Sequence, residues 1–597
     1  MILPMTKYDF VLYHADVDNF LQELQTLGIV DVRRQQKPID EYSKALMEEI
    51  IRFKSVAKRL ESFEDKDSET TPLNISEINI EDVEKLMAEN DELNASIPKL
   101  EIEIAEAKPW GNWTKNDISK IQEAGFTLHF YCTAKNNFDT SWNTEFAIKE
   151  LGESDGKIYF VILENDSNSF SFPLNETRFP RLPHDELVAQ CEQMQARSEE
   201  IEEKLNQLST KRQLLHDEHS EMTEELEVYL AGQSAQKEAA DTLVILTAFS
   251  PKSQNKTVAE FLNEQSVVYI SETAKPEDNP PISLKNNRFA KLFEPIGNMF
   301  MPPNYQEKDV TAYFAPFYML FFGFCLGDVG YGIILLLAGT LGKIWLPKMK
   351  SLLSLVQWLG AGAIVMAMIS GTFFGTSLAN VLNMPEGGWD VGGHKVKFFV
   401  EIEMFWFAII FGGVQILYAK VLQGIFKAQR FGWQYGMVHY GWAALLLGLG
   451  LLIGGIEIPS LLLYILLYGG LGLILFFTHI SPNILKRFVK GLTSLYDITG
   501  LFGDILSYIR LFGLGASGGT LGMVVNTIGA LIIVELPYVG WFIGIIFLVI
   551  GHIAVLALSS LGAFVHPMRL TFVEFYKNIG FEGGGKAFNP LKKHIKN

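Results

Sequence analysis

The 597-residue chain has only three cysteines, Cys132, Cys191 and Cys325, far apart and in none of the paired spacings of a zinc or redox site. That sparsity argues against a disulfide framework and a structural metal. The opening stretch, MILPMTKYDFVLYHADVDNF, lacks a basic segment followed by an apolar run, so no signal peptide is expected there. No basic cluster with interleaved aromatics occurs and the formal net charge is −18, which argues against nucleic acid as a partner. The run GFEGGGKA has the glycines and Lys586 of a phosphate-binding loop but Ala587 where magnesium needs a hydroxyl, and no strand precedes it. Charge itself is missing from much of the second half. Residues 301–597 hold 13 acids and 19 bases, leaving 55 and 31 for residues 1–300, so the halves carry +6 and −24. The first is a membrane composition; the second, rich in Glu, Lys and Leu, is that of a soluble helical region.

Residues 1–300 read as a cytoplasmic arm. Alternating runs and short helical stripes predict α/β lobes at 1–40, 110–180 and 240–280. Two stripes, one through Leu46, Ile50, Phe53, Ala57 and Leu60 and one through Leu86, Leu93, Ile97, Leu100 and Ile104, predict an antiparallel helix pair over 41–108 with a turn near Pro72. Leu187, Cys191, Met194, Ser198, Ile201, Leu205, Leu208, Leu215, Met222 and Leu226 occupy a and d positions and predict one long coiled-coil helix over 183–235. Lobes separated by coiled coil, with no catalytic constellation among them, suit a strut better than an active site.

Apolar segments of membrane length lie at about 309–346, 352–376, 398–424, 434–456, 459–480, 495–534 and 536–575. Basic residues cluster after the first (Lys343, Lys348, Lys350), the third (Lys427, Arg430), the fifth (Lys486, Arg487, Lys490) and at the end (Lys577, Lys586, Lys592, Lys593, Lys596), with Lys395 and Lys397 the exceptions. The positive-inside rule makes those loops cytoplasmic. A cytoplasmic arm then requires the first segment to cross twice, and FFGFCLGDVGYG offers the turn with Gly327, Asp328, Gly330 and Gly332. Eight spans result, with both termini cytoplasmic.

An ionisable residue inside a span is expensive and therefore a functional candidate. Arg510, in LSYIRLFGLGASGGTLG, cannot lose its proton and needs an anion. Asp504, six residues earlier, lies mostly on the other side of a helix, and a structural pair with Glu401, Glu403 or Asp504 of another span is the plainer alternative. In the last span His552, Ser559 and His566 recur every seven residues and Arg569 follows, giving a polar face suited to a water path or a packed polar seam. The penultimate segment, at about 40 residues, is too long for one straight crossing and must tilt or break.

In these residues the chain resembles the membrane stator subunit of rotary V-type and A/V-type ATPases, called subunit a in eukaryotes and subunit I in bacteria and archaea. The motifs PPISLKNNRFAKLFEPI, FFGFCLGDVGYG, LSYIRLFGLG, HPMRLTFVEFY and FEGGGKAFNP carry the likeness in that order, and their wording is bacterial in character. Two departures are DVT at 309–311, where the family has Asp-Pro-Thr, and Ser559, where eukaryotic relatives carry glutamate. The resemblance implies a mixed fold, α/β lobes joined by antiparallel coiled coil and then an all-α membrane domain of about eight helices over 301–597. It implies a non-catalytic subunit without cofactor or metal. Arg510, with Arg569, would drive ion release from the carboxylates of a rotating ring of small subunits. Asp504, Ser507, His552, Ser559, His566 and Glu574 are then the half-channel candidates. Implied partners are that ring, peripheral stalk subunits, the ATPase sector indirectly and the lipid of a bacterial plasma membrane. The rival reading, a self-sufficient secondary ion transporter with a regulatory arm, commonly carries inverted repeats. The first four spans do not match the last four.

Overall fold

The computed structural model describes residues 1–593 except 36, 64–78, 140, 166–171, 239–241, 266, 384–388, 392–393, 397 and 537. The turn expected near Pro72, and Lys397 and Lys596, lie outside the described residues. The chain forms two compact units, one of residues 12–28, 33–244 and 591 onward, the other of residues 1–11, 29–32 and 245–590.

The first unit is built on four helices, α1 (Glu41–Leu60), α2 (Ile80–Ala107), α3 (His184–Ser209) and α4 (Arg212–Gln233). Asp40 starts α1 by accepting the Ser43 amide at 2.8 Å. The helix expected to run unbroken over 183–235 is divided at 210–211. There Ser209 and Thr210 turn their hydroxyls back onto the carbonyls of Asn206 and Gln207 at 2.6 and 2.7 Å, competing with the helical ladder. Helices α1 and α4 run antiparallel with Leu46 against Leu226 and Leu230. Helices α2 and α3 do likewise, with Ser198 Oγ 3.1 Å from Asn90 Oδ1. Phe53, Leu60, Val83, Ile201, Leu205 and Leu215 close one core where the four helices meet. Each such side chain contributes roughly 1.5–3 kcal/mol by leaving water. A three-stranded antiparallel sheet, Phe126–Ala134, Lys157–Asn165 and Ala147–Ser154 in that spatial order, packs its own core around Tyr131 and Phe160.

In the second unit the strands Asp31–Val32, Leu243–Pro251, Met5–Tyr13 and Val268–Thr273 lie side by side in that order, so segments expected within two lobes, 1–40 and 240–280, share one sheet. Its membrane part begins with α5 (Thr311–Leu326) and α6 (Val329–Trp345), followed by α7 (Lys350–Ser370), α8 (Glu401–Phe431), α9 (Trp433–Ile453) and α10 (Ser460–Phe477). After these come α11 (Ile484–Ser494), α12 (Asp497–Leu506), α13 (Ile509–Glu535) and α14 (Gly540–Ile579). Among the described residues six helical stretches are long and apolar enough to cross a membrane, and α5 and α6, at 16 and 17 residues, are shorter apolar helices. The chain is thus a multi-pass membrane protein.

Helix α5 ends where the sequence places a turn. Gly327 takes a left-handed φ of +59°, and Asp328 caps α6, accepting the Tyr331, Phe374 and Gly375 amides at 3.1, 2.9 and 2.8 Å. A Cβ on Gly330 would stand 2.5 Å from the Phe374 ring, so the loop closes on this motif only because that residue is glycine. The long penultimate segment is broken, at 495–496 and again at 507–508, rather than uniformly tilted.

Candidate functional site

Arg510 is the second residue of α13, just past the second break. Packing against two neighbours fixes the break there. The Tyr508 ring fills the space a Cβ on Gly412 of α8 would need, at 2.2 Å, and its hydroxyl donates to Gln415 Oε1 at 2.6 Å. One turn beyond, a Cβ on Gly515 would lie 2.7 Å from the Phe324 carbonyl of α5. Arg510 is thereby held between α5 and α8 at a helix start with little freedom to move.

Its guanidinium finds no carboxylate. Among the described residues no ion pair involves Arg510, and Nη1 is buried without a hydrogen-bond partner. Of the carboxylates weighed as partners, Asp504 and Glu403 are engaged elsewhere. Asp504 accepts from Lys577 Nζ at 3.0 and 3.1 Å and from Asn578 Nδ2 at 2.8 Å, and Glu403 accepts the Val400 amide at 3.0 Å at the start of α8. Glu574 is buried, leaves Oε2 without a partner, and lies within electrostatic reach of Arg510 and Arg569 and beside Ser507. Arg569 is exposed, and His566 lies in the field of both arginines. Along α13 the residues that follow Arg510 on its face, Gly513, Ala516, Ser517 and Thr520, are small and mostly exposed, leaving room for another backbone to approach.

The remaining sequence candidates sit apart from this group. His552 is bound on both ring nitrogens, by Tyr331 Oη at 2.9 Å through Nδ1 and by Asn526 Oδ1 at 3.0 Å through Nε2, while Asn526 donates to the Phe374 carbonyl at 2.6 Å. This polar chain stands next to the Asp328 turn, at the opposite end of the bundle from Asp504. Ser559 lies between the two ends, its Oγ 3.3 Å from where a Cβ on Gly518 would be. Gly327, Asp328, Gly330 and Gly332 shape the turn itself and touch neither arginine. The described residues contain no cluster suited to a metal ion.

Sequence reasoning missed five features. Lys420 and Lys577 are charges within membrane helices, and the rule that flagged Arg510 flags them equally. Tyr331 and Asn526 were legible only as polar residues in apolar runs. The local π-helix over Leu570–Phe575, which directly follows Arg569 and contains Glu574, had Pro567 as its signal: proline supplies no amide to the ladder, and the strain is taken up in the next turn.

The model of the V-type ATPase 116kDa subunit family matches residues 153–370. The chain is 26% identical over 526 residues to the V-type ATP synthase subunit I of Borreliella burgdorferi, covering 81% of this chain and 82% of that one. It is 21% identical to subunit I 1 of the V-type ATP synthase of Treponema pallidum over 99% of this chain and the whole of that one. The A-type ATP synthase subunit I of Methanocaldococcus jannaschii is 28% identical, with 54% of this chain and 51% of that one aligned. The chain is thus similar, over much of its length, to subunit I of V-type and A-type ATP synthases from bacteria and archaea.

Proposed function

We propose that this chain is the membrane stator subunit of a V-type ATPase, against which a ring of small, carboxylate-bearing subunits turns, and that Arg510 releases the transported ion from each carboxylate in passing. The observation that carries the proposal is a permanent cation among membrane helices with no carboxylate paired to it among the described residues and a small-residue surface beside it. Glu574 lies in its field without forming an ion pair with it, and the paired anion is supplied by another chain. A ring carboxylate facing lipid stays neutral or ion-filled, because a bare charge there is too costly. At about 4 Å and an effective dielectric near 20, Arg510 favours the ionised form by about 4 kcal/mol, which lowers the carboxylate's pKa by about three pH units. The ion leaves, and Arg510 bars a direct path between the two aqueous routes.

The two groups of polar residues supply those routes. Asp504, Ser507 and Glu574 lie on the basic-loop side of Arg510, and His552 with Tyr331 and Asn526 on the other, with Ser559 and His566 between. Helices α5 and α6 span about 24 and 26 Å at 1.5 Å per residue and complete eight crossings, with the arm and the chain end cytoplasmic. Peripheral stalk subunits would hold the arm so that the membrane half does not turn with the ring, while the ATPase sector does the chemistry.

The test uses the assembled complex in sealed vesicles. Arg510→Ala and Arg510→Lys should both lower ATP-driven ion uptake, by roughly a thousand-fold for a loss of about 4 kcal/mol, with assembly intact. Wild-type uptake by an assembled Arg510→Ala complex would sink the proposal. Repeating the assay with and without sodium identifies the ion.

A further inference from the structure

A cavity of about 580 Å³ lies where α8 ends, α9 begins, α10 ends, α12 begins and α14 ends. These helix ends adjoin the basic loops, and with those loops read as cytoplasmic the cavity opens at the level of lipid headgroups, with Lys420 about three turns inside the end of α8. Its lining includes five charged groups, Lys420, Lys427, Lys577, Asp497 and Asp504. Asp504 and Lys577 neutralise each other, with Asn578 as a further donor. What remains is two ammonium groups against Asp497. Among the described residues Lys420 has only a 3.4 Å hydrogen bond, to Gln423 Oε1, and Lys427 has none. His439 Nδ1 is buried on the same wall without a partner. Lys420 and Lys427 are two turns apart on α8 and within each other's field, so their long side chains can converge on one group between them.

Two ammonium groups without paired carboxylates in a cleft at headgroup depth call for an anion. The wall also carries the aromatic rings of Tyr435, Trp442, Phe477 and Tyr496 among polar and small residues, and these rings suit a molecule with an apolar portion. A second cavity of about 550 Å³ on the other side of Lys427 adds Lys308 and Arg430, opposite Glu307 and Glu582. Glu307 is already engaged by the Glu582 and Gly583 amides, at 2.6 and 3.1 Å. We infer that the cavity between α8, α9 and α12 binds the phosphate group of an acidic phospholipid, with Lys420 and Lys427 as its cation pair and the aromatic wall against the glycerol portion. The inference does not depend on the rotary reading, because it needs neither the ring nor Arg510.

The experiment measures lipid kept by the purified full chain after exchange from vesicles of equal phosphatidylglycerol and phosphatidylcholine into detergent, by native mass spectrometry. The wild-type chain should retain phosphatidylglycerol at least ten-fold over phosphatidylcholine. The Lys420→Gln/Lys427→Gln chain should lose that preference, whereas Lys427→Arg, which keeps the charge, and Lys348→Gln, in another basic loop, should keep it. Equal retention of the two lipids by the wild type, or undiminished preference in the double variant, overturns the inference. If no lipid is retained and millimolar inorganic phosphate binds instead, the site is one for a free anion and the lipid assignment falls.

Discussion

Arginine is treated in opposite ways in the two regions. In the helical unit Arg52 meets Glu84 at 2.5 Å and Arg197 meets Glu89 at 2.8 Å, each pair more than a third exposed. Water would solvate those charges nearly as well, so the pairs say little about purpose. In the membrane part Arg510 has no such pair, though an unpaired charge there costs far more. Pairing therefore says little where it is cheap to avoid, and its absence is telling where that absence costs much. Between these extremes stands Asp504, 12% exposed, fully satisfied by Lys577 and Asn578. It is a closed account beside an open one.

Beyond the Arg510 variants, which carry the largest expected effect, three substitutions sharpen the contrast. Asp328→Ala removes an acceptor of three buried backbone amides and should destabilise the membrane part by about 4 kcal/mol. Thermal unfolding in detergent would register it, and an unchanged midpoint would mean that the turn holds without its cap. Lys577→Met leaves Asp504 charged and nearly buried, and should cost about 2 kcal/mol. Adding Asp504→Asn should recover more than half of that, and strict additivity in the double-mutant cycle would break the idea that the two form a unit. The smallest effect belongs to the helical unit. Arg52→Ala should lower the thermal midpoint only slightly at neutral pH, because the pair is exposed. Its hydrogen bonds hold the Glu84 carboxyl below its ordinary value of 4.5, against slight desolvation. That contribution is complete above pH 4.5 and fades as pH falls through the lower folded value. The protection of amides 80–84 against hydrogen exchange, measured relative to the intrinsic rate at each pH, should therefore fall on acidification at low salt, and Arg52→Ala or high salt should flatten the response.

What could be read in advance was whatever depends on local chemistry. Glycine beside aspartate at 327–328 announced a helix end because only glycine takes that φ cheaply and aspartate caps. The a and d stripe predicted the buried face of α3 and α4, since Leu187, Ile201, Leu205 and Leu215 are all buried. It did not reveal the division at 210–211, where two hydroxyls compete with the ladder without disturbing the stripe. Nor could alternating runs 200 residues apart disclose that they share a sheet, because pairing between distant strands leaves no local mark. At the site, Arg510 was visible through its cost alone, whereas the engagement of Asp504 by Lys577 depends on how α12 meets the end of α14.

The π-helix at Leu570–Phe575 carries one consequence for α14 as a whole. It amounts to a single residue inserted into a regular helix, and one residue is 100° of rotation. The seven-residue stripe of His552, Ser559 and His566 would continue to Val573, yet Val573 is 50% exposed and its neighbour Glu574 is 2% exposed. The helix is thus two rods spliced out of phase, with Arg569 just before the splice and Glu574 within it. Deleting one residue within the splice would restore the phase and swing the chain beyond it, Lys577 and Asn578 included, away from Asp504, without removing any charged group from the protein.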